Sequence, residues 1–155
     1  MSPRPGTDVA IENDKIVQIG KITPNKGDRV VDLTGKYLMP GLINLHVHLP
    51  AGGKPRNKPM NTNRLTKIAL SSGLSRALVL RMCHAYAMQG LLSGVTTVRA
   101  VGGLDNLDTR LRDRIHAGKL DGPRILAANY AIGVPHGHMV GSVTHPAETV
   151  EDAVR

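Results

Sequence analysis

The stretch "LMPGLINLHVHLP", Leu38 to Pro50, decides how the rest of the chain is read. Leu42 to Leu49 is a short, nearly continuous apolar run, which is the pattern of a strand buried on both faces in a parallel sheet. Two histidines interrupt it, His46 and His48. Side chains alternate along a strand, so residues two apart face the same way. Both imidazoles therefore project together, with Val47 packing on the opposite face. Two such rings can reach one divalent ion at about 2.0–2.1 Å. On spacing alone, a metal site and a pair of structural histidines at a strand end are equally good readings.

Upstream, "DVAIENDKIVQIG" (residues 8–20) reads as a hairpin. Apolar residues alternate on both sides of Asn13-Asp14, a pair that tolerates the left-handed turn conformation. "DRVVDLTGKYLMPG" (28–41) predicts a further strand or two, so residues 1–40 form a small β unit. Downstream, residues 41–155 alternate between strand and helix. After a long loop, Leu74 to Leu92 has helical spacing, with Leu74, Leu78, Met82 or Ala85, Met88 and Leu92 on one inward stripe. "VTTVRA" (95–100) is a β-branched strand. Leu104, Leu107, Leu111 and Ile115 give the next helix its inward face, "GPRILAAN" (122–129) is a third strand, and "YAIGVPHGHMVGSVTHP" (130–146) reads as irregular loop. "AETVEDAVR" begins another helix, with acids in its first turn.

Alternation of this kind implies an α/β fold with a parallel sheet and helices outside. A complete eightfold βα barrel takes about 250 residues. The 155 residues are therefore expected to be the front part of such a barrel. His46 and His48 fall at the C-terminal end of its first strand, where barrel enzymes build their sites.

Composition narrows the class. Hydrophobic residues make up 41% of the chain, enough for a core, yet there are three Tyr and no Phe or Trp. The core must rest on Leu, Ile, Val, Met and Ala. The single cysteine, Cys83, forms no intrachain disulfide, and the N-terminus has no apolar signal region. Both point to a cytoplasmic protein, and no apolar run predicts a membrane span. The net charge of +8 raises a nucleic-acid-binding module as an alternative. The densest basic stretch, "GGKPRNKPMNTNRLTK" (52–67), has no aromatic to stack on a base and reads as a solvated loop.

The segment "DLTGKYLMPGLINLHVHL" resembles the opening of the amidohydrolase superfamily, in which a β-sandwich leads through a Pro-Gly and a His-x-His into strand one of a (β/α)8 barrel. "SGVTTVRAVGG" and "GPRILAANYAIGVPHGHM" are similar to the second and third strands of that family. With "LRDRIHAGKLDGPRIL" they resemble the branch of imidazolonepropionase-like enzymes and metal-dependent Xaa-Pro dipeptidases.

The resemblance implies a metal-dependent hydrolase of amide C–N bonds, with a dipeptide or N-acyl amino acid as substrate. A cyclic amide, as in the imidazolonepropionase type, is the alternative. His46 and His48 match the first two metal ligands, for one or two divalent ions, zinc foremost. His138 matches a loop histidine near the substrate, although a histidine that merely packs there is an equal reading. His136 replaces a glycine of that loop, and Ala100 stands where the branch commonly has Asp. The remaining ligands and the general-base aspartate belong to strands four to eight, which are not among these residues. Taken alone, the chain is then expected to be inactive, to need the remainder of the barrel or a second copy, or to be a non-catalytic remnant.

Overall fold

The structure, a computed structural model, describes residues 4–53 and 61–154. Two compact units are present, Met1–Met39 and Pro40–Arg155.

In the first unit, β1 (Asp8–Glu12) and β2 (Lys15–Gly20) form an antiparallel hairpin. Asn13 and Asp14 turn it with positive φ at both positions, 48° and 63°. That backbone matches the twist of the flanking strands. The strands expected over residues 28–41 do not form, and Val30 and Val31 are exposed. A β-prone segment becomes a strand only by pairing its backbone, and the sheet of this unit has two strands among the described residues. Of the expected β unit, the hairpin alone is seen.

The second unit is α/β. Strands β3 (Leu42–Val47), β4 (Val95–Ala100) and β5 (Arg124–Ala127) pair in parallel in that order. Helices α1 (Thr62–Ala69) and α2 (Gly73–Leu92) connect β3 to β4, and α3 (Leu107–His116) connects β4 to β5. The sheet does not close, so this is part of a barrel-type layer rather than a whole one. Two expectations need correction. α1 lies inside what reads as a long loop, where Asn61 caps it by accepting from the Arg64 backbone N–H. The stretch 130–146 is not wholly irregular, because β6 (Ala131–Gly133) and β7 (Thr144–Pro146) pair in parallel. A short helix, α4 (Val150–Val154), comes last. Residues 54–60, part of the basic stretch, lie outside the described residues.

The core joins one face of the sheet to the helices. Val98, Ala100 and Ile125 meet Leu80, Cys83 and Ala87 of α2, and Leu107 and Leu111 of α3. The α3 stripe is inward as the sequence indicates. The α2 stripe is not. Leu74, Leu78 and Leu92 are exposed, and the helix buries Leu80, Cys83 and Ala87 instead. The reason is that α2 is apolar nearly all round, so periodicity does not single out one face. Its start is fixed by a capping box in which Ser72 and Ser75 exchange hydrogen bonds, satisfying two N–H groups that the first turn leaves free.

Leu111→Ala is expected to cost about 2–5 kcal/mol, because the leucine is fully enclosed. Ser72→Ala is expected to cost about 1 kcal/mol through the lost cap. Urea unfolding of the two variants checks both the values and their order.

Candidate active site

The pairing of β3 with β4 decides where the histidines point. Asn44 pairs with Val98 and Val47 pairs with Ala100, so β3 spends one more residue than β4 over the same span. Paired residues in a parallel sheet share a face, and a shift of one residue moves side chains to the other. Val98 and Ala100 are buried against the helices, and Val47 packs on that same core. Without the extra residue, His46 would pair with Ala100 and enter the core. With it, His46 and His48 are exposed together on the opposite face. Their ring centroids are 5.2 Å apart and edge to face, with an interplanar angle of 74°. An open depression of about 440 Å³ lies on the α2 side of β3, walled by Asn44, Val98, Tyr86, Ala87, Gly90 and Ser93, and both histidines contribute to its rim.

His48 is held by the backbone after β4. Its Nδ1 lies 2.8 Å from the Gly102 carbonyl oxygen. A carbonyl only accepts, so Nδ1 carries a proton, and in the neutral form of the ring Nε2 is the nitrogen left with a lone pair. A Cβ on Gly102 would come within 3.2 Å of the same Nδ1, so the residue that orients the ring is one that has no side chain. The loop is tied on both sides, by Val101 N–H to Val47 O and by Gly103 N–H to Asn129 O. Asn129 also accepts from the Thr109 N–H through Oδ1, which links the loop to the first turn of α3.

Beneath this loop is a residue that the motifs of the sequence do not single out. Asp108 is fully buried, and among the described residues neither carboxylate oxygen has a hydrogen-bond partner. Its carboxyl abuts Gly103 closely enough that a Cβ there would collide with it. Burial pushes its pKa up from 3.8 to about 6, and His48 pulls it partly back. The neighbouring Cys83 thiol is pushed up to about 12, by burial and then by the Asp108 charge. A signal was nevertheless present in the sequence. Asp108 is four residues after Leu104 and three before Leu111, on the apolar stripe of α3, where an acid must be enclosed.

The other candidates are dispersed. His138 is exposed in the β6–β7 connection, and His136 beside it has positive φ, 61°. Among the described residues, no three of His, Cys, Asp and Glu form a group that could hold a metal. His84 Nε2 lies 2.8 Å from the Asp121 carbonyl oxygen, and His116 ends α3. Ala100 is fully buried in the core. Among the described residues, no helix is long and apolar enough to cross a membrane.

The profile of the amidohydrolase family matches residues 37–155. The chain belongs to that family. A 5-methylthioadenosine/S-adenosylhomocysteine deaminase of Thermococcus onnurineus is 47% identical over 45 residues, 29% of this chain and 11% of the relative. A dihydroorotase of Lactococcus lactis is 34% identical over 73 residues, 47% of this chain and 17% of the relative. Among solved structures, an assigned prolidase from Bifidobacterium longum superposes with a TM-score of 0.61 at 30% identity, covering 89% of this chain and 28% of that one. The chain thus spans under a third of the length of these relatives. They come from several branches, so family membership is firm and the branch expected from the motifs is not singled out.

The raised pKa of Asp108 makes a pH prediction. The folded state holds its proton up to about pH 6, and an unfolded aspartate only to about 3.8. Between these values the folded form binds more protons, so this group's stabilisation is complete below about 3.8 and is lost as pH rises through 6. Asp108→Asn is expected to remove that slope from urea-unfolding free energies measured between pH 4 and 7.

Proposed function

We propose that this chain supplies the first βα units of a metal-dependent hydrolase of amide C–N bonds. In this reading His46 and His48 are two of the metal ligands, and a dipeptide or N-acyl amino acid is the substrate. The observation that carries it is the pair of imidazoles, turned together to the open face at the C-terminal end of β3 in a chain of the amidohydrolase family. Two imidazoles on one tetrahedral ion have ring centres about 5 Å apart, given nitrogen–metal distances of about 2.0–2.1 Å. The 5.2 Å observed fits. The free Nε2 of His48 fits as well, since ligating histidines donate their other ring N–H to a carbonyl or carboxylate.

A divalent ion held there supplies Lewis acidity, activating water and polarising the scissile carbonyl. The chain's own contribution is orientation. The Gly102 carbonyl fixes the tautomer and direction of His48, and the β3 bulge brings His46 alongside it. Zinc is the ion assigned, on the preference of zinc for imidazole and carboxylate donors. The remaining ligands and the general base are assigned to residues outside these 155. His138 is assigned to substrate contact from the exposed β6–β7 connection. The dipeptide is preferred because the likeness to the prolidase runs along 89% of the chain. A cyclic amide is the second reading, favoured by the 73-residue stretch shared with the dihydroorotase.

The test uses the intact protein that contains this chain. Bound zinc is measured, and hydrolysis is followed on Xaa-Pro dipeptides, N-acyl amino acids and dihydroorotate. The expected result is dipeptide cleavage, with kcat/KM reduced at least about hundredfold in His46→Ala and His48→Ala. Opening of dihydroorotate without dipeptide cleavage moves the assignment to the second reading. Wild-type activity and zinc content in both variants remove the histidines from the site.

A further inference from the structure

The buried carboxylate under the loop calls for a reason. A site that needed only volume would be filled as well by Leu or Asn, without the cost of enclosing an unpaired charge. The N-terminal end of α3 offsets part of that cost, since Asp108 lies in the first turn of the helix. The electrostatic attraction on the carboxylate is toward His48. Gly102 and Gly103 stand between the two. One glycine offers its carbonyl to the ring, and the other rests against the carboxyl. Both close approaches depend on hydrogens in place of side chains.

We propose that Asp108 is a positioning residue for His48. Its negative charge, placed behind the Gly102–Gly103 peptide, stabilises the Nδ1–H···O=C hydrogen bond and strengthens Nε2 as a donor to a divalent cation. The arrangement is a carboxylate–histidine pair with one peptide group inserted. A carboxylate outside a ligating histidine raises the basicity of that ligand, and losing such a partner weakens metal binding by about 10–100-fold. The Cys83 thiol beside it is held protonated by burial first and by the same charge second.

This inference rests on the reading of His46 and His48 as metal ligands, and three measurements on Asp108→Asn in the intact protein separate the two. The substitution keeps the shape and removes the charge. Zinc affinity, measured by competition with a chelator, is expected to fall about tenfold. The metal-free variant is expected to melt no lower than the wild type, because an unpaired buried charge has gone. In the metal-free protein, the ring ¹⁵N signals of His48 are expected to move away from a pure Nδ1–H tautomer, and those of His84 to stay in place. Unchanged zinc affinity with unchanged His48 signals overturns the inference, as does a lowered melting temperature, the mark of a structural role. If the wild type binds no zinc, the metal reading fails, and the His48 signals alone decide the role of Asp108.

Discussion

Along β3, between Asn44 and Val47, the strand carries one residue more than its partner β4 needs. The rest of the site depends on that surplus. Strand pairing couples backbone register to side-chain direction, so one inserted residue reverses the facing of every later side chain in the strand. Here Val47 is sent to the core and the two imidazoles to the open face. A regular ladder would pair His46 with Ala100 and turn it toward the apolar core. There its polar nitrogens would find apolar walls.

The loop after β4 completes what the bulge begins. Val101 continues the ladder to Val47, Gly103 is tied to Asn129, and Gly102 is left with its carbonyl against His48. The glycines also let Asp108 approach from below. A conformationally costly pair of residues therefore stands between a ring that must be aimed and a charge that must be buried. An element that accepts local costs of this kind is more simply explained by function than by stability.

The family assignment and the geometry bear on different questions. The amidohydrolase profile over residues 37–155 establishes ancestry. Relatives from deaminase and dihydroorotase branches share short stretches with the chain, while the structural likeness to a prolidase runs along most of it. In βα barrels, loops at the C-terminal ends of the strands set the substrate, and the strands set the chemistry. These 155 residues include few of those loops.

The sequence alone carried the β1–β2 hairpin, the three parallel strands, the inward face of α3 and the two histidines as a same-facing pair. Each of these is written in local chemistry: turn residues with left-handed tolerance, β-branched runs, and periods of two or 3.6. Tertiary structure decided the rest. It chose which side of α2 is buried, because an all-round apolar helix leaves the choice to its neighbours. It withheld strands from residues 28–41, because pairing needs a partner that composition cannot supply. It set the face of His46 and His48, because register is a relation between two strands and not a property of one. It also enclosed Asp108 beneath Gly103, a position visible on the helical stripe but meaningless until His48, 60 positions earlier in the numbering, was brought over it.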